Sequence, residues 1–383
     1  MKYYIIAGEA SGDLHGSKLM KGLYAQDSSA DIRFWGGDSM EAVYKEHQAG
    51  TGLVKHYRET AVMGYQEVLF KAVAISRNVR ACKADIVAWK PDVVILVDYP
   101  GFNFKIAEFA HRSGLKVYYY IAPKVWASRE GRIRRLKAWV DRLFVIFPFE
   151  VPYFASKGVP CTYAGNPLVD IIGQSPAMQE PREAFLQRCG LPDAPFIALL
   201  AGSRKMEIAA MMPTFMQFAD CWHAENPSWH FVVAAAPSCS MADYEKYLAG
   251  RAYVHVVFGE TYSALRQAQA AVINSGTASL EAALIGTPQV VGYKVAAVSA
   301  FILRRIIRVP YVSLVNLIAA RSVCKEYLQE NFTPENLLAE MRRMTEDAAY
   351  RQRMLSDYAE VRRLLGGPGA SDAVAKAMVD SLM

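Results

Sequence analysis

Residues 1–18 read MKYYIIAGEASGDLHGSK, and their pattern predicts a strand, a glycine turn and a helix. The apolar run 3–7 breaks at Gly8, and Gly12 and Gly16 follow at four-residue intervals. This layout often holds a phosphate, but Glu9 and Asp13 put two carboxylates in the turn, and the G-K-[ST] order of a P-loop is missing. The stretch therefore predicts the first strand and helix of an α/β fold, without a phosphate site.

The same alternation of apolar strands and helical stretches occurs twice along the chain. The strand candidates of the first half are 3–7, 32–35, 93–97, 116–121 and 143–146, and those of the second are 196–201, 230–235, 254–258, 271–273 and 289–291. Strands separated by helices are typical of βαβ units in a parallel sheet. We therefore predict two doubly wound domains that face each other across a ligand cleft at the carboxyl ends of their strands. The proline-containing segment around 167–181 is the predicted linker.

The composition is that of a globular protein, because 52% of the 383 residues are hydrophobic and 21% are charged. The 43 basic and 37 acidic residues give a net charge of +6, which suits anionic substrates or lipid head groups but lacks the dense basic clusters of nucleic-acid-binding proteins. The six cysteines form no C-x-x-C pair, and neither a signal peptide nor a long apolar span is evident. We expect a cytoplasmic protein with no metal site and no nucleic-acid partner. Contact with a membrane surface stays open.

The stretch AAVINSGTASLEAALIGTPQVVGY (270–293) predicts a buried strand, a hydroxyl-rich turn and a helix. Ser275, Gly276 and Thr277 would offer N–H groups and hydroxyls at a helix N-terminus, which suits a diphosphate. Glu281 lies one turn further along the same face, where a carboxylate can accept hydrogen bonds from ribose hydroxyls. An ordinary amphipathic helix would explain the turn alone, but the combination favours nucleotide binding.

A second turn with binding chemistry follows the first strand of the second half, in FIALLAGSRKMEI (196–208). Ser203 and Arg204 come directly after the strand, so the guanidinium of Arg204 is a candidate to hold a phosphate and to offset the charge of a leaving diphosphate. The alternative is a surface arginine that caps the turn.

A candidate general base occurs in PDVVILVDYPGFN (91–103), where Asp98 follows five apolar residues. A carboxylate beside a core is costly unless it is paired or functional, so Asp98 could take a proton from a hydroxyl. The alternative is that Asp98 caps the helix that starts near Asn103.

Two apolar stretches with basic residues are candidates for contact with lipid. The first, 59–80, contains Val62, Met63, Val68, Leu69, Phe70 and Val73. The second, 296–313, sets isoleucines and a phenylalanine against three arginines. A core-facing helix with a solvated face explains such patterns more often, unless the substrate is a lipid.

The motifs together resemble the lipid-A-disaccharide synthase family, in order from Ile5 to about Gln329. The motifs that carry the resemblance are AGEASGD (7–13), TAVMGYQEVL (60–69), PDVVILVDYPGFN (91–103), YYIAPKVWA (119–127), YAGNPLVD (163–170), AGSRKME (201–207), NSGTASLEAALIGTPQVVGY (274–293), YVSLVNLIA (311–319) and KEYLQE (325–330). The resemblance implies a GT-B fold with two Rossmann-like domains, namely 1–168 for the acceptor and 169–344 for the UDP-sugar, with 345–383 returning to the first domain.

The family resemblance also implies the reaction. An inverting transfer would join UDP-2,3-diacylglucosamine to the 6-hydroxyl of 2,3-diacylglucosamine 1-phosphate (lipid X), and the products would be a β-1,6-linked disaccharide 1-phosphate and UDP. The family acts in lipid A synthesis at the cytoplasmic face of the inner membrane, so peripheral membrane contact is implied. No cofactor or metal is expected, and homo-oligomer formation is left open.

The resemblance assigns roles to the candidate residues. Asp98 would be the base, Arg204 and the turn 275–277 would stabilise the leaving UDP, and Glu281 would hold the ribose. Ser203, Asn316 and Gln329 are further donor-side candidates. Glu9, Ser11 and Gly12 would lie on the acceptor side, whereas Asp13 is expected to cap its own helix. The chain departs from the family pattern at Asn166, where a histidine is usual, and at Lys124, whose charge could meet a phosphate.

Three other functions agree with parts of the sequence. A GT-B UDP-sugar epimerase, or another UDP-GlcNAc-type transferase, would share the fold and the nucleotide site, but an epimerase of soluble substrates has no need of the apolar stretch near 62–73. A nucleotide-binding module without catalysis would not need Asp98. A dinucleotide oxidoreductase is the least favoured, because no G-x-G-x-x-G follows a strand.

Overall fold

The computed structural model describes residues 1–60, 68–295 and 309–383, and of these the side chains of Thr60 and 68–73 are not described. The chain divides into two compact units, each described by itself: unit 1 comprises 1–167 and 366–383, and unit 2 comprises 168–365. The C-terminal return to unit 1 is shorter than the expected 345–383. The reason is that the helix Ala348–Leu365 packs on the helices Thr277–Ile285 and Leu314–Ala319 of unit 2.

Unit 1 is built on a parallel sheet of seven strands in the order β3-β2-β1-β4-β5-β6-β7. The strands are β1 Lys2–Ala7, β2 Asp31–Gly36, β3 Leu53–His56, β4 Val93–Val97, β5 Lys116–Tyr120, β6 Arg142–Val145 and β7 Thr162–Tyr163. The strand order reverses between β1 and β4, which is the switch point where doubly wound folds bind ligands. Every residue of β4 is buried, as the unbroken run VVILV predicts for a strand covered on both faces.

Helices separate the strands of unit 1. They are Ala10–Gln26, Asp38–His47, Tyr57–Thr60, Val68–Trp89, Pro100–Arg112, Ile133–Trp139 and Glu150–Ser156, with a 3₁₀ turn at Glu130–Arg132. The helix Pro167–Gly173 begins at the boundary of the two units.

The C-terminal helix, Ala370–Asp380, completes unit 1 by packing against the N-terminal helix, Ala10–Gln26. The two helices approach closely at Gly22, where an added Cβ would lie 2.7 Å from the Cβ of Ala375. Beyond the helix, the hydroxyl oxygens of Ser381 and Tyr118 lie 2.6 Å apart. The return to unit 1 implied by the family resemblance is therefore present, and it begins at Gly366.

Unit 2 repeats the architecture with a parallel sheet of six strands in the order β10-β9-β8-β11-β12-β13. The strands are β8 Phe196–Leu200, β9 His230–Ala235, β10 Val254–Phe258, β11 Ala270–Asn274, β12 Gln289–Tyr293 and β13 Glu326–Leu328. The switch point of this sheet lies between β8 and β11. The helices are Arg182–Cys189, Lys205–Glu225, Glu245–Leu248, Thr261–Gln267, Thr277–Ile285, Leu314–Ala319, Pro334–Glu346 and Ala348–Leu365, with 3₁₀ turns at Pro176–Met178, Met241–Asp243 and Gln329–Asn331.

The predicted class, two doubly wound α/β units, is confirmed. The prediction missed the edge strands β3, β7 and β13, which have two to four residues each and no fully buried position. Short edge strands lack the apolar run that identifies central strands. Within the described ranges, no helix is both long and apolar enough to cross a membrane.

Candidate active site

Asp98 lies at the switch point of unit 1, directly after β4. Its backbone and that of Tyr99 are left-handed, with φ values of 44° and 47°, which is costly for residues with a side chain. The carbonyl oxygen of Asp98 accepts hydrogen bonds from the hydroxyl of Tyr119 at 2.6 Å and the amide of Asn103 at 2.7 Å. These two side chains hold Asp98 in its strained conformation.

The alternative role of Asp98 as a helix cap does not apply, because the helix Pro100–Arg112 is capped at Tyr99 without a side-chain hydrogen bond. Instead, the side chain of Asn103 in that helix donates a hydrogen bond to the carbonyl oxygen of Asp98. Asn103 and Tyr119 are residues that sequence reasoning missed. Both lie inside the quoted motifs, but only the fold brings them to the same carbonyl group.

The electrostatic surroundings of Asp98 favour a carboxyl group that can exchange a proton. Burial raises the pKa of Asp98, Lys124 opposes this with its positive charge, and Glu9 adds to it with its negative charge. A base with a raised pKa is a stronger acceptor for the proton of a sugar hydroxyl. The role of Asp98 as the base stays a prediction, and its raised pKa is consistent with that role.

The turn after β1 is adjacent to Asp98, because Ala7 pairs with Val97 at the carboxyl ends of β1 and β4. The ring of Tyr99 covers Gly8 so closely that an added Cβ would lie 2.1 Å from its nearest carbon. Glu9 and Ser11 are exposed, whereas Gly12 is buried. The exposed pair therefore remains a candidate for acceptor contact, and Gly12 supports the turn through its approach to Ala7.

Asp13 has a structural role, although not the predicted one. The N-terminal helix is capped at Glu9 without a side-chain bond, and Asp13 instead accepts hydrogen bonds from the backbone amides of Gly37 at 2.7 Å, Ser39 at 3.0 Å and Met40 at 3.1 Å. These amides form the N-terminus of the next helix, Asp38–His47, whose own cap residue has no side chain. The second acid of the opening turn therefore caps the following helix.

In unit 2, Ser203 and Arg204 lie at the matching switch point, after β8. Arg204 is the N-cap of the helix Lys205–Glu225, and its side chain is 74% exposed and pairs with Glu207 at 2.8 Å. The other oxygen of Glu207 accepts the amides of Ser203 at 2.9 Å and Arg204 at 3.3 Å. Glu207 is a residue that sequence reasoning missed, although its third helical position fits a capping box. Glu207 therefore positions Arg204, the residue predicted to contact a phosphate.

The turn after β11 offers fewer free groups than predicted. The amide of Ser275 donates to Gly292 O at 2.8 Å, and its hydroxyl donates to Val312 O at 2.8 Å, so Ser275 supports the turn. Among the described residues, no bond occupies the amides of Gly276 and Thr277 at the start of the helix Thr277–Ile285. The candidate anion site is therefore reduced to these two positions.

Glu281 lines a cavity of about 670 Å³ that lies within unit 2. Burial raises the pKa of Glu281 to about 7, and the hydroxyl of Tyr262, which donates to it at 3.4 Å, opposes that rise. Arg188 in the same cavity is paired with both Glu180 and Glu260, at 2.7 Å in the latter case. Three carboxyl groups against one arginine disfavour a phosphate here and suit neutral hydroxyl groups.

Asn316 does not reach solvent, which corrects the prediction of a direct donor contact. Its amide donates to Cys324 O at 2.9 Å and to Glu326 at 2.8 Å, and its oxygen accepts the amide of Val323 at 2.7 Å. Glu326 in turn accepts the amide of Val312 at 3.0 Å, next to Ser275. Asn316 is therefore a positioning residue for the turn after β11.

Gln329 follows β13 at the carboxyl edge of the sheet, with a left-handed φ of 52°. Its side-chain oxygen accepts the amide of Val295 at 3.4 Å, and its donor-side role stays a prediction. Of the lipid-contact candidates, Val62 and Met63 lie outside the described residues, as does most of 296–313. Val68, Leu69, Phe70 and Val73 lie at the start of the helix Val68–Trp89, and their side chains are not described.

Comparison with known proteins decides the family. A family model described as lipid-A-disaccharide synthetase matches residues 3–376. The chain is 37% identical to the lipid-A-disaccharide synthase of Geobacter metallireducens over 380 residues, which are 99% of this chain and 96% of that protein. It is also 37% identical to the enzyme of Myxococcus xanthus, over 99% of this chain and 97% of that one. The chain belongs to the lipid-A-disaccharide synthase family. It is accordingly a glycosyltransferase.

Solved structures support the fold. The UDP-GlcNAc 2-epimerase of Neisseria meningitidis, bound to UDP-GlcNAc, matches with a TM-score of 0.71 over 99% of this chain and 100% of that chain. Its sequence identity is 12%, so the likeness extends to the fold alone. The family membership therefore favours the transferase over the epimerase alternative.

Proposed function

We propose that this chain transfers 2,3-diacylglucosamine from UDP to the 6-hydroxyl of 2,3-diacylglucosamine 1-phosphate, with inversion at the anomeric carbon. The observation that carries the proposal is Asp98, a partly buried carboxylate with a raised pKa that two side chains hold in a strained backbone at a switch point. Strain that the surroundings maintain is typical of functional positions. Membership in the family supplies the class of reaction.

The step that needs a base is the attack of the acceptor. The 6-hydroxyl oxygen forms a bond to the anomeric carbon while the bond from that carbon to the UDP oxygen breaks. Asp98 takes the hydroxyl proton, and UDP leaves with the electron pair of the broken bond. The raised pKa of Asp98 strengthens it as a base, and the nearby positive charge of Lys124 favours the ionised carboxylate that accepts the proton.

Unit 2 would hold the donor. The acid-lined cavity suits the uridine, with the carboxylate of Glu281 accepting hydrogen bonds from ribose hydroxyls. The diphosphate, which that cavity disfavours, would bind the amides of Gly276 and Thr277 and the guanidinium of Arg204. Arg204 is exposed, and within the described ranges its one ion pair is with Glu207, so its side chain can turn to a phosphate at small cost. In this proposal these groups, without a metal, offset the charge of the leaving diphosphate.

The substrates carry acyl chains, so the proposal includes peripheral contact with the cytoplasmic face of the inner membrane. The apolar stretch near 62–73 is the candidate for that contact. The basic net charge of +6 would assist attraction to anionic head groups.

The test is an assay with detergent-dispersed UDP-2,3-diacylglucosamine and lipid X, in which mass spectrometry identifies the products. We expect a disaccharide 1-phosphate and UDP in equal amounts, and unchanged turnover after addition of EDTA. Release of an epimerised UDP-sugar without a disaccharide would favour the epimerase instead. Loss of turnover with EDTA, restored by a divalent cation, would contradict the metal-free part of the proposal.

A further inference from the structure

The segment 122–135, called the basic loop, follows β5 and includes the first residues of the helix Ile133–Trp139. It carries five cationic side chains, Lys124, Arg129, Arg132, Arg134 and Arg135, and one acid, Glu130, which pairs with Lys157. Within the described part of the chain, none of the five cations forms an ion pair. Elsewhere arginines such as Arg33, Arg251 and Arg321 each pair with a carboxylate, so this loop is unusual in its uncompensated charge.

The basic loop faces the proposed base. It follows β5, whose Tyr120 pairs with Val97, the residue before Asp98. The positive charge of Lys124 lowers the pKa of Asp98, and that of Arg132 acts on the hydroxyl of Tyr119, which donates to the carbonyl of Asp98. Lys124 and Arg132 therefore both lie within electrostatic range of the site where the acceptor hydroxyl would lose its proton.

The loop is held in place by a buried carboxylate. Glu150 is 1% exposed, accepts the indole N–H of Trp126 at 3.0 Å, and accepts the amides of Ile146 and Phe147 at 3.1 and 3.0 Å. The ring of Trp126 also packs edge-on against Phe149, with centroids 5.0 Å apart. The cations are therefore presented by an anchored segment.

The cations crowd one another without a counter-ion. Burial lowers the pKa of Arg132, and the neighbouring Arg129 and Arg135 lower it further. Arg135 differs from the others because its guanidinium lies over the ring of Phe104, 5.8 Å from the centroid. A bound anion would relieve the repulsion between Arg129 and Arg132, since a phosphate accepts hydrogen bonds from two guanidinium groups at once.

We propose that Lys124, Arg129 and Arg132 bind the 1-phosphate of the acceptor, and that they make the enzyme select a phosphorylated acceptor. The inference rests on the proposed function. In the acceptor, the phosphate on C1 lies across the sugar ring from the 6-hydroxyl, so a site for it must lie about one sugar ring from the base. Lys124 and Arg132 are the candidates for this site, because the charge of Lys124 acts on Asp98 and that of Arg132 acts on Tyr119 beside it.

The test compares two acceptors, lipid X and its phosphate-free form, 2,3-diacylglucosamine, with the same donor. The variants are Arg132→Gln, Arg129→Gln and the double variant of these two; Lys124 is left unchanged because its charge also acts on Asp98. The control is Arg142→Gln, an exposed arginine at the opposite end of the sheet, at the start of β6. For lipid X we expect KM to rise roughly 10- to 100-fold in the variants, while the phosphate-free acceptor is affected little. The control should behave as wild type.

Each outcome has a meaning for the proposal. Variants that keep the wild-type preference for lipid X would overturn the phosphate site, as would a wild-type enzyme that uses both acceptors equally. If the variants lose binding to phosphatidylglycerol vesicles but keep the acceptor preference, the loop binds membrane head groups, and the proposal is wrong. A wild-type enzyme that makes no disaccharide from either acceptor contradicts the proposed function itself.

Discussion

The switch points of the two units have the same topology and opposite chemistry. In unit 1 the turns after β1 and β4 present carboxylates, and the ring of Tyr99 lies directly on Gly8. In unit 2 the turns after β8 and β11 present an exposed arginine and the free amides of a helix N-terminus. The first set of groups can take a proton, and the second can hold an anion.

In the proposed mechanism, the same fold would supply the two halves of a reaction. The strand order fixes where a ligand can bind, because the turns of adjacent strands separate there. The residues of those turns decide what is bound, so function must be argued from the side chains. If the two switch points have the proposed roles, substitutions in one should change proton transfer, and substitutions in the other should change donor affinity.

The largest effect is expected for Asp98→Asn. Loss of a general base lowers turnover by about 10²- to 10⁴-fold, while the affinity for UDP, which unit 2 would hold, stays within twofold. Steady-state kinetics and titration calorimetry with UDP measure the two quantities. The matched control is Asp92→Asn, directly before β4 and outside the switch point. Near-native turnover of Asp98→Asn would show that Asp98 is not the general base.

Glu281→Gln should have the converse effect, with weaker donor binding by about tenfold through loss of a charged acceptor for ribose hydroxyls. The measurement is the dissociation constant of UDP at pH 8, with the exposed Glu183→Gln as the control. Unchanged affinity would contradict the ribose role.

The same variant tests the cost of burying Glu281. Its pKa is about 7 in the folded chain, above the usual 4.5, so the folded state binds a proton that the unfolded state lacks between these pH values. Its burial therefore lowers the stability above pH 7, and this loss disappears as the pH falls towards 4.5. At pH 8 we expect Glu281→Gln to be more stable than wild type by about 1–3 kcal/mol, and the difference to shrink by pH 5. Chemical denaturation at both pH values would measure it, and a gain that persists at pH 5 would exclude this cause.

Glycine substitutions probe the packing of the two switch points. At Gly8 an added Cβ would lie 2.1 Å from the ring of Tyr99, whereas at Gly276 the nearest atom is 3.9 Å away. Gly8→Ala should therefore destabilise the protein by about 1–3 kcal/mol, and Gly276→Ala should change its stability little. Thermal unfolding compares the stability of the two variants. Equal losses of stability would mean that the tight packing is not specific to the switch point of unit 1.

The smallest effect concerns the pH dependence of turnover. Glu9 raises and Lys124 lowers the pKa of Asp98, so Glu9→Gln should move the acid limb of kcat/KM to lower pH, and Lys124→Gln should move it to higher pH. The profiles are measured with the phosphate-free acceptor, so that binding of the phosphate does not enter. Shifts in the same direction would contradict the proposed surroundings of Asp98.

The sequence was sufficient to predict the two sheets, because their central strands are continuous apolar runs such as VVILV in β4. It also predicted the turns at both switch points, since each follows a central strand directly. What it could not predict was which polar groups are already satisfied inside the fold. Asn316 and Asp13 have the residue types of ligand contacts, yet their hydrogen bonds are used inside the fold, those of Asn316 by residues seven and ten positions later and those of Asp13 at the start of the next helix.

The residues that support Asp98 were also beyond sequence reasoning. Tyr119 lies 21 residues from Asp98 along the chain, and only the pairing of β4 with β5 brings its hydroxyl to the carbonyl group. Glu150 supports the basic loop in the same indirect way, through Trp126. Glu207 is different, because its spacing from Arg204 is a local signal that a search for capping boxes detects.

The C-terminal helix affects the order in which the two units can be completed during synthesis. Unit 2 is one continuous segment, 168–365, so all of it has been translated before the final residues of unit 1 exist. The face of the N-terminal helix around Gly22 stays uncovered until Ala375 has been translated, and Tyr118 has no contact with Ser381 until that residue has followed. Unit 1, whose first residues are translated before those of unit 2, therefore finishes folding only after all of unit 2 has been translated.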